Sequence, residues 1–131
     1  MSDDARPPRI KPRIKSAPRP RQVYWCDFPQ DAHLPEFWKT RPVLILSPKV
    51  ALYGVATVVP LSTKPQPDND LAHDFASPLP NGGRSWAICS HVTTVAVSRL
   101  TLVDGKAPRI SDEDFQEVLR LVRRTIPTPR S

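Results

Sequence analysis

Three short clusters carry the side chains able to handle a phosphate. Lys39-Thr40-Arg41 stands immediately before Pro42-Val43-Leu44-Ile45-Leu46-Ser47, which contains the longest aliphatic run in the chain. An unpaired arginine is expensive to bury, so Arg41 belongs at the mouth of that run, in a structural salt bridge or against an anion. Ser62-Thr63-Lys64 follows a second β-branched run. Two hydroxyls and an ammonium there suit either a phosphate cradle or an ordinary polar strand terminus. Phe37 and Trp38 come just ahead of Arg41. Phe37 is expected to fold back on the core; Trp38 has that option or can offer a flat surface to a base. Groups that exchange protons near neutrality are the histidines, of which His33, in the loop ahead of Arg41, and His91 are the candidates.

The elements that must position these residues fit one domain. A chain of 131 residues has room for a single core. With 39% hydrophobic residues and 17 prolines against 4 glycines, part of it stays outside that core. Residues 1–21 hold seven cations and two acids, so five of the six net positive charges lie there, on a stretch with five prolines and no apolar periodicity. A disordered or polyproline II arm is expected, followed by a nearly neutral body over 22–126 and a flexible 127–131. Removing the arm should leave the body intact. The arm is a candidate contact for nucleic acid through counterion release, or a solvated leader. Cys26 and Cys89 lie in apolar runs and read as small hydrophobes, with no metal-ligand spacing between them. No apolar segment follows Met1 and none approaches the roughly 18 residues that span a bilayer, so a reduced, cytoplasmic setting without membrane contact is expected.

Along the body, strands are expected at Gln22–Phe28, Pro42–Ser47, Gly54–Leu61, His73–Ser77, Ser85–Val92 and Arg99–Val103. Pro60 is expected at a strand end or edge, because it cannot donate to a ladder. Pro78 to Arg84 and Thr93 to Ser98 read as turns. Ser111 then caps a helix whose first turn carries Asp112, Glu113 and Asp114. Phe115, Val118, Leu119 and Val122 form its apolar stripe. Short antiparallel strands closed by one C-terminal helix suggest a mainly β fold, a small and strongly bent barrel.

Four motifs in this order resemble the MazF/PemK (Kid-like) toxins of type II toxin–antitoxin systems. They are Val23-Tyr24-Trp25-Cys26-Asp27, Lys39-Thr40-Arg41-Pro42-Val43, Val58-Val59-Pro60-Leu61-Ser62-Thr63-Lys64, and Val95 through Ser98-Arg99-Leu100. The resemblance runs from Gln22 to about Ile126. It implies an SH3-like barrel of the CcdB/PemK type, a homodimer, cleavage of single-stranded RNA without metal or other cofactor, and a cognate antitoxin lying over the site. By this likeness Arg41 and Ser62, with Thr63 beside it, act on the scissile phosphate, while Lys39, Trp38 and Lys64 contact RNA. The family often has threonine before serine where this chain has Ser62 before Thr63. His33 falls in the loop where some members place a catalytic histidine.

Ser90-His91-Val92-Thr93-Thr94 stands where the family commonly carries an acid followed by Gln-Ile-Arg-Thr. Ser90 thus replaces a carboxylate and Thr93 an arginine, and His91 can stand in for a lost polar group or be a plain surface histidine. Two further functions fit the same fold: a gyrase-inhibiting toxin, and a catalytically degenerate member that only binds RNA or a partner.

Overall fold

A computed structural model describes residues 6–29 and 31–129. Seven strands and one helix follow in chain order: β1 Val23–Asp27, β2 Thr40–Ile45, β3 Val55–Ser62, β4 Ala72–Ala76, β5 Arg84–Ile88, β6 Thr93–Ala96, β7 Leu100–Thr101 and α1 Asp112–Arg123. The strands pair antiparallel in the order β4-β5-β3-β2-β1-β7, with β6 as a further partner of β3. The mainly β fold with one C-terminal helix stands as expected. The hydrogen-bonded path, however, ends at β4 and β7 and does not close into a barrel.

Both faces of the sheet are covered at Val43, Leu44 and Ile45, which explains why this part of β2 is apolar without interruption. Leu44 joins Val23, Val59, Leu61 and the helix residues Phe115, Val118, Leu121 and Val122 in one core. Val43 and Ile45 point the other way, into a second core with Tyr24, Cys26, Phe28, Val58 and Leu100. Cys26 and Cys89 are therefore buried in different cores. Burial pushes each thiol up to about 12, so both behave as small hydrophobes.

β3 is the longest strand and changes partner along its length. Val55 to Val58 pair with β6, and Leu61 and Ser62 pair with β5. Pro60 lies in the interval between these ladders, opposite Val43 of β2. It is fully buried inside the strand rather than at its end, and on that side no ladder bond needs its missing N–H. Thr93–Ala96, expected as a turn, is instead the strand β6. The continuous strand expected over Ser85–Val92 stops at Ile88, and Cys89–His91 forms a 3-10 turn. Gly82 and Gly83 take positive φ in the β4–β5 turn, a conformation that glycine adopts without the penalty other residues meet.

In α1, the Ser111 hydroxyl accepts the Asp114 N–H at 3.1 Å, and three acids occupy the first turn. The buried face is Phe115, Val118, Leu121 and Val122, whereas Leu119 is only partly covered. The stripe is thus rotated toward Leu121 relative to the expected one. His73 on β4 meets Asp114 at 2.8 Å and fixes the helix start against the sheet edge.

Order also reaches further back than Gln22. Ile14 is only 4% exposed and belongs to the second core. Arg21 donates through Nε and Nη2 to the Ile110 carbonyl at 3.0 and 2.9 Å, while its backbone joins Ile45 and Ile110. Deleting the arm through residue 21 therefore strips a buried apolar side chain, against the expectation of an independent leader. A single isoleucine escaped notice because its neighbours are polar and its spacing has no period. The expected flexibility of 127–131 falls partly on residues 130 and 131, outside the described residues.

The arm is tied down by a carboxylate. Thr40 Oγ1 donates to Asp27 Oδ1 at 2.7 Å, and Arg13 Nη2 donates to Asp27 Oδ2 at 2.9 Å. These contacts, the Thr40 hydrogen bond first and Arg13 after it, hold the Asp27 carboxyl below the usual aspartate range. A depressed folded-state pKa stabilises the tie above the ordinary aspartate pKa of about 3.9, and that stabilisation is lost as pH falls through the lowered value. The side-chain NMR resonances of Ile14, buried in the second core, are therefore expected to move toward random-coil positions below about pH 4, and Asp27→Asn should show such a shift already at pH 6. Ile14 resonances that stay in place across this pH range in both proteins would contradict the tie.

Candidate active site

β2 and β3 are paired only from Val43 to Ile45, opposite Pro60 to Val58. Toward the start of β2 they part. Arg41 and Pro42 keep β1 as a neighbour, at Cys26 and Trp25, but have no ladder partner on the β3 side. Pro42 has no N–H to give, which suits this divergence. Continuing the same register by two residues sets Arg41 opposite Ser62, and strand alternation turns both side chains toward the face that holds Val43. The opening between the two strands has Arg41 on the β2 side, and Arg41 shares a pocket there with Thr63 at the end of β3.

Arg41 is partly exposed. Its Nε donates to the Trp38 carbonyl at 3.2 Å, and its Cζ lies 5.9 Å from the centre of the Phe37 ring. Among the described residues its two terminal nitrogens have no partner. The fork is therefore oriented by the loop yet open for a planar anion. The Ser62 hydroxyl accepts the Lys64 N–H at 3.1 Å. Its own proton reaches the Lys64 carbonyl only at 3.5 Å, too long to engage it firmly.

The loop between β1 and β2 builds the adjoining wall. It closes through the Phe28 N–H to the Lys39 carbonyl at 3.0 Å, and turns through the Glu36 N–H to the His33 carbonyl at 2.8 Å. Phe37 packs 6.1 Å from Phe28 and edge-on to His91, with centroids 5.0 Å apart. The result is a cleft of about 540 Å³ between the loop and the turn after β5, lined among others by Phe37, Pro60, Ser90, His91 and Thr93. Asp31 and Glu36 also line it. Ser90 and Thr93 thus share this cleft with carboxylates supplied from the loop.

The expected site residues divide accordingly. Arg41 lies beside Phe37, Phe37 packs against His91, and Ser62 stands opposite Arg41 only by continuation of the β2–β3 register. His91 Nδ1 is 3.2 Å from Ser90 Oγ. Thr63 is exposed and shares a separate pocket of about 380 Å³ with Arg41 and Trp25. Trp38 and Lys39 are exposed at the rim, with Lys39 Nζ 4.0 Å from the centre of the Trp38 ring. Lys39 takes φ +66°, the left-handed region, where the chain turns into β2. Lys64 is exposed beyond the strand end. His33 is exposed and does not line the cleft; its backbone N–H is bound by Glu36 Oε1 at 2.7 Å. Asp31 and Glu36 were not singled out from the sequence. They are the only carboxylates in the Pro29–Lys39 loop, and that alone could have marked them.

Among the described residues, no group of three or more His, Cys, Asp or Glu side chains gathers as a metal site would require. No helix is long and apolar enough to cross a membrane.

Two solved structures share this fold. An endoribonuclease in complex with its cognate antitoxin from Mycobacterial species aligns with a TM-score of 0.63 at 17% identity, covering 86% of this chain and 100% of that one. MazF (Form-I) from Deinococcus radiodurans aligns with a TM-score of 0.62 at 18% identity, covering 82% and 94%. No curated protein sequence matches the chain. The sequence itself matches the PemK-like, MazF-like toxins of type II toxin–antitoxin systems over residues 19–126, which include every element and every site residue described above. The chain belongs to that family.

Proposed function

We propose that the protein is the toxin of a type II toxin–antitoxin pair and an endoribonuclease that cuts single-stranded RNA without a metal. The observation that carries this reading is the open guanidinium fork of Arg41, held through Nε at the parting of β2 and β3, beside the hydroxyl-bearing end of β3. In metal-free cleavage the ribose 2′-oxygen attacks the adjacent phosphorus. The bond from phosphorus to the 5′-oxygen breaks, leaving a 2′,3′-cyclic phosphate and a free 5′-hydroxyl. Charge accumulates on the two non-bridging oxygens, and a bidentate guanidinium matches both. Ser62 donates its proton to the same phosphate, with Thr63 as the neighbouring hydroxyl.

The 2′-proton must leave and the 5′-oxygen must gain one. His91 is the histidine in the cleft, and an imidazole can give or take a proton near neutrality. Asp31 and Glu36 provide carboxylates on the facing wall. We assign proton transfer to these groups, and not to His33. Trp38, Lys39 and Lys64 hold the flanking nucleotides by stacking and by charge. The protein acts in the cytoplasm as a homodimer, and a cognate antitoxin covers the cleft.

Labelled, unstructured RNA incubated with EDTA tests the reading. Cyclic-phosphate ends are expected, and His91→Asn should reduce kcat by about 10²-fold with little change in KM. Cutting that needs added metal would overturn the mechanism. A second reading, a member that only binds RNA, is favoured by the Ser62 hydroxyl, which already serves the Lys64 backbone. Tight RNA binding with no cyclic-phosphate product would establish it instead.

A further inference from the structure

The arm ahead of residue 19 lies outside the family match, yet it is built into the body. Ile14 anchors it in the second core. Arg13 ties it to Asp27, which in turn holds Thr40, the residue next to Arg41. Ahead of these anchors the arm runs beside the site. Pro7, Pro8, Ile10 and Arg13 form one wall of a groove of about 660 Å³, whose other wall includes Phe28, Pro29, Lys39, Thr40 and Arg99. Phe28 and Pro29 also line the cleft beside Arg41, and Thr40 also lines the pocket of Thr63. The three openings therefore meet at the mouth of β2.

Charge in this groove is one-sided. Arg13, Lys39 and Arg99 face a single acid, Asp27, whose two oxygens are already taken by Thr40 and Arg13. Arg9 and Lys11 stand exposed beside the lining residues, without partners among the described residues. Prolines at 7, 8 and 12 hold the segment extended, so its cations are spaced along a line and not gathered at a point. A line of cations leading away from a phosphate site fits a polyanion with regularly repeated charges.

We propose that residues 6–13 form the far wall of a track for the single-stranded RNA backbone, extending the substrate contact several nucleotides beyond the bond that Arg41 addresses. The contact is to phosphates and carries no base preference. It rests on the RNA-cleaving reading given above. An acidic peptide is the competing occupant. Repeated point charges with a stiff proline spacer favour the RNA.

The experiment measures the salt dependence of binding for a roughly 4-nucleotide and a roughly 12-nucleotide RNA of unstructured sequence, each with a non-cleavable 2′-deoxy linkage at the target bond. In the wild-type protein the longer RNA should show the steeper slope of log K against log salt, by about 0.7 for each added phosphate contact. The Arg9→Ala/Lys11→Ala double variant should lose about 1.4 of that slope and most of the difference between the two lengths. Equal slopes for wild type and variant on the longer RNA would overturn the proposal. So would an unchanged RNA slope with weakened binding of an acidic antitoxin peptide, which would give the arm to that partner. If the wild type binds neither RNA, the RNA-cleaving reading itself fails. Melting temperatures of the two proteins should agree, because both substituted side chains are exposed.

Discussion

Arg41→Ala is expected to reduce cleavage of unstructured RNA by about 10³-fold, the loss seen when a preorganised donor to a developing oxyanion is removed. The fork has one nitrogen committed to the loop and two free, so its orientation does not have to be set again in the transition state. Arg41→Lys should recover only part of the loss. A lysine supplies the charge but not the pair of parallel donors, and it cannot keep the Trp38 carbonyl occupied while it faces a phosphate. The side chain is partly exposed, so neither variant should melt more than a few degrees below wild type. Undiminished cutting by Arg41→Ala would remove this residue from the chemistry.

Leu44→Ala is expected to destabilise the protein by about 2–5 kcal/mol in urea unfolding. Leu44 is fully buried and sits on the central strand, with Val23 on one side and Val59 on the other, all three in the core that α1 covers. A cavity there is framed by strands paired on both flanks, which cannot collapse without shifting the ladders. Against a total stability of about 5–15 kcal/mol, that loss leaves little margin for the folded state. A cost under about 1 kcal/mol would mean that the helix side repacks freely.

Much of this architecture could be read from the chain because its signals are local. The aliphatic run of β2 announced a buried strand, and Ser111 with three following acids announced the start of α1. Arg41 was legible because a cation at the mouth of such a run needs a reason. What escaped depends on distant partners. Thr93–Ala96 carries no strong alternation and becomes a strand by pairing with the first half of β3. Pro60 is tolerated inside a strand because β3 changes partner there. Asp31 and Glu36 enter the cleft only through the fold of a loop whose sequence has no period. Ile14 looked like part of a charged leader until the second core appeared beneath it.

Lys39 gives a further clue to what the mouth of β2 is for. A left-handed backbone costs an ordinary L-residue roughly 1–2 kcal/mol, and glycine would adopt it almost without penalty. The chain sets a lysine there and loses stability that one small substitution would recover. Such a trade is reasonable where the ammonium is needed at the rim and the kink is needed to aim the next two residues. On the RNA-holding role proposed for Lys39, this turn is a place where the protein gives up robustness for activity. A more heat-resistant but slower variant is to be sought first at this residue.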